Sequence, residues 1–239
     1  MDVLFFAILG GGIPSILWWG ILLTQDRHPE KKHNLITTFF LGVLTAIPVI
    51  GSFILIEWVI TETRIEIPLL IYNFITGALI EEIFKALILY LFIFHRSFFS
   101  EPIDAFIYGI TIALGFAAIE NILLVFNFLS QVDNIAQLTF VVGIRSITAV
   151  VVHIVSSGII AYGLYLAVYA KQIFRLCLSF ILGVGIHGAY NILVEETETI
   201  SQFVNVYSGI VLLGGIILYR RVKYMQKKSV SNTHLDEDI

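Results

Sequence analysis

The sequence has few charged residues for its length, and this shortage excludes an ordinary soluble domain. Only 13% of its 239 residues are charged and 58% are hydrophobic, whereas a soluble domain carries about 25% charged residues. A single cysteine, Cys177, lies inside an apolar run, which excludes an intrachain disulfide and gives little support to a thiol mechanism. The mean hydropathy of +0.91 is typical of a protein that crosses the bilayer several times.

Two common signatures of hydrolytic enzymes are also missing. The sequence has no H-E-x-x-H zinc motif, and no G-x-S-x-G motif precedes Ser156 and Ser157, which follow His153 by about one turn. No internal repeat or soluble domain is evident and the loops are short, so we expect any chemistry to take place within the bilayer. The first residues lack a basic region and a small-residue cleavage site, and we expect them to be a membrane anchor.

Apolar segments account for most of the chain, and each is long enough to cross a hydrocarbon core of about 30 Å at about 1.5 Å per residue. They cover residues 3–24, 35–60, 67–94, 103–129, 139–170, 173–194 and 201–219. The sequence therefore predicts an all-α, polytopic membrane helix bundle with about seven transmembrane helices. Its predicted parts are N-terminal transmembrane helices (1–66), a catalytic-motif helix core (67–195), the last transmembrane helix (196–225) and a disordered cytoplasmic tail (226–239).

The basic residues are concentrated on one side of this predicted bundle. Eleven of the 14 lysines and arginines lie in the loops after segments one, three and five or after segment seven. The opposite loops contain only Arg64, together with several acidic residues. By the positive-inside rule, the N-terminus lies outside and the C-terminus lies in the cytoplasm.

The third segment carries two adjacent glutamates and a lysine in an otherwise apolar run. Asn73, Gly77, Glu81 and Lys85 recur every four residues, so they are expected to line one face of a helix. A charge at the centre of a membrane helix costs about 2.5–3.5 kcal/mol and needs a partner or a function. Lys85 can pair with Glu81 or with Glu82. Either pairing leaves one carboxylate uncompensated as a candidate general base or acid, whereas the alternative is a structural salt bridge.

Segments four to six add polar side chains at intramembrane positions. Glu120 lies on a face of small residues that another helix can approach. Arg145 and His153 share one stripe of segment five, and His187 and Asn191 share one stripe of segment six. Each group alone is compatible with helix packing or a satisfied hydrogen bond. Three glutamates and two histidines on four neighbouring segments instead predict a cavity open to the extracytoplasmic side.

These side chains support two chemistries, and the sequence leaves both open. In the first, a glutamate activates water, a histidine assists proton transfer, and Asn191 or a histidine stabilises the oxyanion. In the second, the histidines and a glutamate hold zinc and a glutamate is the base. We therefore assign no residue as a metal ligand and keep zinc as an alternative.

Four stretches of the chain resemble the motifs of PrsW-type intramembrane proteases. They are E-E-I-F-K from Glu81, F-A-A-I-E-N from Phe116, the single His153, and H-G-A-Y-N from His187. This family is grouped with the CAAX prenyl endopeptidases and the bacterial CPBP-type proteins. The resemblance covers residues 70–195, and each motif falls within a predicted membrane helix.

The resemblance implies an endopeptidase of a prokaryotic inner or plasma membrane. Its substrate would be a membrane-anchored protein, such as an anti-sigma factor, cut at the extracytoplasmic side. Glu120 takes the place of a histidine of the CAAX enzymes, Asn191 could serve the oxyanion, and analogy favours Glu81 as the base. The implied catalytic residues are Glu81, Glu82, Glu120, His153, His187 and Asn191, and the supporting residues are Lys85, Asn121 and Arg145.

The sequence leaves two other functions open. One is a non-catalytic membrane scaffold or immunity protein. The gamma-secretase scaffold subunit of the same superfamily is a precedent that has lost its glutamates, whereas this chain keeps them. A proton-coupled transporter also uses intramembrane glutamate and histidine, but it would be expected to show paired repeats with broken helices. The expected partners are a membrane-anchored protein substrate and the lipid bilayer, with no nucleic acid.

Overall fold

The structure, a computed structural model, describes residues 8–23, 30–99, 101–129, 135–195 and 203–236. Within these ranges the chain forms seven helices and no strand, which confirms the all-α prediction. Helix α1 has a π-helical turn, Ile8–Gly12, followed by Ile13–Leu23; α2 joins Lys32–Leu44 to Ala46–Thr63; and α3 joins Leu69–Phe74, the π-helical turn Ile75–Ile80 and Glu81–Phe92. The other helices are α4 (Pro102–Leu129), α5 (Ile135–Tyr169), α6 (Ile173–Glu195) and α7 (Val204–Asp236).

Four stretches of these helices are long and apolar enough to span a membrane. They are Lys32–Thr63, Pro102–Asn127, Val142–Tyr169 and Ile173–Val194. Large apolar side chains point outward from the bundle, among them Phe40 and Trp58 of α2, which are 59% and 60% exposed. Such a surface is suited to lipid, so the chain is a membrane helix bundle. The number of transmembrane helices and their orientation stay predictions.

Helices α4 and α5 form the centre of the bundle. In their candidate spans, 67% of α4 and 83% of α5 is buried, against 22% of α2. Helix α5 packs between α4 and α6, while α2 packs on α4 and α7 packs on α5. Phe106 and Leu114 of α4 meet Val150 and Val155 of α5 in the main apolar cluster. The two central helices therefore pack against the five other described helices.

Small residues let α4 approach its neighbours closely, as its sequence predicts. A Cβ atom added at Gly109 would lie 2.4 Å from the Cβ of Ala161 on α5. A Cβ added at Gly115 would lie 2.0 Å from the carbonyl oxygen of Phe39 on α2. Side chains at either position would push the helices apart, and the polar residues farther along α4 would move with them.

Helix α7 continues beyond the membrane segment predicted at residues 201–219. It runs to Asp236, so it includes residues 226–236 of the tail for which the sequence predicts disorder. These residues contain no proline or glycine that would end a helix. Residues 237–239 of that tail lie outside the described part of the chain. The division of the chain into domains stays a prediction.

Candidate active site

The two adjacent glutamates follow directly after the π-helical turn of α3. In a π-helix each backbone hydrogen bond spans five residues instead of four, and such turns occur frequently at functional sites. The turn ends at Ile80, and Glu81 begins the next α-helical stretch. Asn191 of α6 donates a 2.6 Å hydrogen bond from Nδ2 to the carbonyl oxygen of Gly77 inside the turn. The regular α-helical repeat that we expected across this segment is therefore wrong over residues 75–80.

Glu82 is the more firmly held of the two carboxylates. Its Oε1 accepts a 2.8 Å hydrogen bond from the Lys85 ammonium and lies 2.9 Å from Nδ1 of His187. Its Oε2 accepts a 2.7 Å hydrogen bond from the hydroxyl of Ser157 on α5. The residue is only 1% exposed. Three polar partners compensate this buried charge, as a carboxylate in a low-dielectric interior requires.

Glu81 makes longer contacts with some of the same groups. Its Oε2 lies 3.5 Å from Nζ of Lys85 and 3.7 Å from Nε2 of His187. Lys85 is thus closer to Glu82 than to Glu81. Since an ionised carboxylate only accepts hydrogen bonds, Nδ1 of His187 carries the proton that faces Glu82. Nε2 of the neutral ring then has a free lone pair on the side of Glu81.

His153 connects this pair of glutamates to the third one. Its Nδ1 lies 2.9 Å from Nζ of Lys85, and its Nε2 lies 2.8 Å from Oε2 of Glu120. Because an ammonium can only donate, Nδ1 is the acceptor and Nε2 donates its proton to Glu120. Glu120 also accepts a 2.7 Å hydrogen bond from Arg145. Its side chain is 30% exposed, so it forms the open edge of an otherwise buried cluster.

Three side chains of the cluster lie close enough to share one ion. Glu81, His153 and His187 each offer a ligand atom, and these atoms lie within 4.8 Å of one another. The two imidazole rings meet edge to face, with centroids 4.6 Å apart. All three residues are buried. Two histidines and one carboxylate are a common ligand set of catalytic zinc sites, where a water or substrate takes the fourth position.

A comparison with known families decides between the classes of protein that this geometry allows. The model of the PrsW family intramembrane metalloproteases matches residues 30–218, which is most of the chain. The chain belongs to the PrsW family. It is therefore a multi-pass bacterial membrane protein and a PrsW-family intramembrane protease, as the four motifs predicted.

Several PrsW proteins are similar to it along much of their length. The chain is 29% identical over 235 residues to Protease PrsW of Clostridioides difficile (strain 630), and the aligned region covers 94% of the chain and 92% of that protein. It is 27% identical over 231 residues to Protease PrsW of Oceanobacillus iheyensis, covering 95% and 99%. With Protease PrsW of Bacillus subtilis (strain 168) it shares 31% identity over 120 residues, covering 49% and 53%. No solved structure matches the chain.

The metal that the family description implies fits the side chains present in the cluster. His187 has the arrangement usual for a metal ligand, because one ring nitrogen is fixed by the Glu82 carboxylate and the other faces the shared centre. Glu81 has longer contacts, which leave it free to act as a ligand or as a base. His153 could bind a metal only by giving up Lys85 at Nδ1 or Glu120 at Nε2.

The structure brings together most of the residues that the sequence selected. Glu81, Glu82, Lys85, Glu120, Arg145, His153 and His187 form one connected network. Asn191 lies at the π-helical turn and contacts Gly77. Asn121 is buried beside α1, and its Nδ2 has no partner among the described residues. The catalytic roles of all these residues stay predictions.

Sequence reasoning missed Ser157 as a partner of Glu82. The sequence places Ser156 and Ser157 on the same stripe as Arg145 and His153, but the only role it suggested for their hydroxyls was that of a nucleophile. Ser157 follows His153 by four residues, so it lies on the same face of α5 one turn away. That spacing could have predicted the contact with Glu82, because a hydroxyl one turn from a site histidine can reach a carboxylate on the helix that the histidine also faces.

Proposed function

We propose that this PrsW-family chain is an endopeptidase that hydrolyses a peptide bond of a membrane-anchored protein at a centre formed by Glu81, His153 and His187. The observation that carries the proposal is the close approach of their ligand atoms, all within 4.8 Å, in a buried cluster. Structural salt bridges need opposite charges, whereas two imidazoles facing each other beside a carboxylate are suited to hold a metal ion or to move protons.

Zinc is the metal that suits this ligand set, and when bound it would polarise the scissile carbonyl and activate a water molecule. The chain's own residues orient the ligands. Glu82 fixes the ring of His187 through Nδ1, so that Nε2 faces Glu81. Ser157 and Lys85 in turn fix Glu82. Such outer contacts set both the tautomer and the direction of a ligating imidazole.

Proton movement is proposed to pass along the more open side of the cluster. His153 holds a proton at Nε2 and shares it with Glu120, whose side chain is 30% exposed. Arg145 compensates the charge of Glu120 at 2.7 Å. A leaving amine needs the proton that the attacking water gives up, and the His153–Glu120 pair is proposed to pass this proton on next to the centre. In this proposal Asn191 uses one amide hydrogen to hold Gly77 and keeps the second for the oxyanion.

The proposed substrate is a single-span or otherwise membrane-anchored protein, and an anti-sigma factor is the example that the family resemblance implies. A cluster buried among α3, α4, α5 and α6 can be reached only by a chain that enters the membrane region. The extracytoplasmic side of cleavage is part of the proposal and follows from the predicted orientation.

The test is cleavage of a single-span substrate by the purified full-length protein in detergent, combined with a measurement of bound metal. Glu81→Gln is the test variant, and Glu62→Gln on the exposed part of α2 is the matched control. Chelation should abolish cleavage, zinc should restore it, and Glu81→Gln should remove both metal and activity. The control should retain both.

Two results would contradict parts of the proposal. Cleavage that survives chelation but is lost in Glu81→Gln would exclude the metal and leave a glutamate that activates water. Wild-type cleavage by Glu81→Gln, by Glu82→Gln and by the double variant would exclude this cluster as the catalytic centre.

A further inference from the structure

An apolar groove away from the catalytic cluster lies among α1, α4, α5 and α7. Its volume is about 510 Å³. Phe106 and Ile110 of α4 and Ile159 of α5 form one wall, and Leu212 and Ile216 of α7 form the other. It combines an apolar lining with two basic side chains, Arg220 and Lys223, at one end. None of the proposed catalytic residues lines it.

The length of the groove matches one leaflet of a membrane. Its α7 lining extends from Leu212 to Lys223, which corresponds to about 16 Å at 1.5 Å per residue. Half of a hydrocarbon core of about 30 Å is about 15 Å. The groove therefore reaches from the membrane surface to about the middle of the bilayer, where it ends against Ile154 and Val155 of α5.

The surface end of the groove is positively charged and aromatic. Arg220 and Lys223 both line it, three residues apart on the same face of α7. The ammonium of Lys223 lies 5.5 Å from the ring centroid of Tyr219. Trp18 of α1 also lines the groove. Tyrosine favours the headgroup level of a bilayer, and basic side chains there attract anionic headgroups.

We propose that this groove binds one anionic phospholipid, with its phosphate at Arg220 and Lys223 and an acyl chain along the apolar walls. The charge of the surface end selects an anionic headgroup over a neutral one.

The test uses native mass spectrometry of the full-length protein released from detergent. Phosphatidylglycerol and phosphatidylethanolamine with identical acyl chains are compared, with inorganic phosphate and glycerol phosphate as soluble headgroup probes. The charge variant is Arg220→Gln with Lys223→Gln, and its matched control is Arg175→Gln with Arg221→Gln, which removes two exposed charges outside the groove. The thermal midpoint of each variant confirms that it is folded.

A second pair of variants tests the apolar walls. Ile216→Trp fills the groove from a position that is 40% exposed, so it carries little risk for folding. Ile217→Trp is the matched control, because Ile217 is 67% exposed and does not line the groove.

The proposal predicts one retained phosphatidylglycerol per protein. Each basic side chain near a membrane surface strengthens binding about fivefold. Loss of the charges of Arg220 and Lys223 should therefore weaken phosphatidylglycerol retention about 30-fold and remove the preference over phosphatidylethanolamine. Ile216→Trp should reduce retention of both lipids, and both controls should resemble wild type. Three results would overturn the proposal. The first two are equal retention by the charge variant and its control, and equal retention by Ile216→Trp and Ile217→Trp. The third is full competition by the soluble phosphates.

Discussion

Replacing Glu82 with glutamine should destabilise the protein far more than replacing Glu81. Glu82 is 1% exposed and accepts hydrogen bonds at 2.7–2.9 Å from a hydroxyl, an imidazole and an ammonium. Its change to an amide leaves the Lys85 ammonium without its nearest counter-charge and turns an N–H group toward other donors. Removing one partner of a buried ion pair costs about 3–5 kcal/mol.

The contacts of Glu81 are longer, so replacing Glu81 with glutamine removes less stabilising free energy. Its nearest polar neighbours are at 3.5 and 3.7 Å, beyond the usual range of a strong charged hydrogen bond. We expect Glu81→Gln to cost about 1 kcal/mol while cleavage is lost. In a protein of this size 1 kcal/mol shifts the thermal midpoint by about 2–4 °C, so Glu82→Gln should unfold about 6–20 °C below wild type.

The assay is thermal unfolding of the purified variants in one detergent at one scan rate, since unfolding of membrane proteins is often irreversible. Glu62→Gln, an exposed carboxylate on α2, controls for the chemical change itself. Equal losses of midpoint for Glu81→Gln and Glu82→Gln, or a larger loss for Glu81→Gln, would refute the assignment of the structural role to Glu82.

Two further substitutions test the contacts that support the cluster. Ser157→Ala should cost about 1–3 kcal/mol because it leaves the buried Glu82 carboxylate one hydrogen bond short; thermal unfolding should show little effect of Ser156→Ala, whose hydroxyl has no partner among the described residues. Gly77→Ala would place a Cβ 2.8 Å from Nδ2 of Asn191 and should lower cleavage about tenfold by displacing that amide. Gly51→Ala, where a Cβ meets nothing within 4 Å, should cleave normally, and equal cleavage by both glycine variants would contradict the role of the turn.

The sequence could predict the helices and the membership of the cluster because both depend on strong, local costs. Long apolar runs bounded by polar loops leave few alternatives to membrane helices. Intramembrane glutamates and histidines need partners, so their convergence was predictable from their depth along neighbouring segments. The same cost explains why Glu120 and Arg145, from different helices, form an ion pair at 2.7 Å.

The roles within the cluster could not be predicted, because tertiary contacts decide them. Spacing allows Lys85 to pair with either glutamate, and only the positions of His187 and Ser157 give Glu82 its additional partners. The π-helical turn had no local signal either. It depends on an amide from α6 that meets a carbonyl group of α3, 114 residues earlier in the chain.

The turn at Ile75–Ile80 also makes the number of residues in α3 part of the site. Each residue of an α-helix rotates the chain by about 100°, so the wider turn changes the angle between the Leu69–Phe74 stretch and the glutamates. Deleting one residue there would permit an uninterrupted α-helix with Glu81 and Glu82 on about the same face, but it would remove the wide turn that Asn191 contacts. Inserting one residue would instead rotate both glutamates by about 100° toward a different neighbour. Changes of length are normally confined to loops, whereas in this protein the middle of one helix should be as intolerant of insertion or deletion as the proposed catalytic side chains are of substitution.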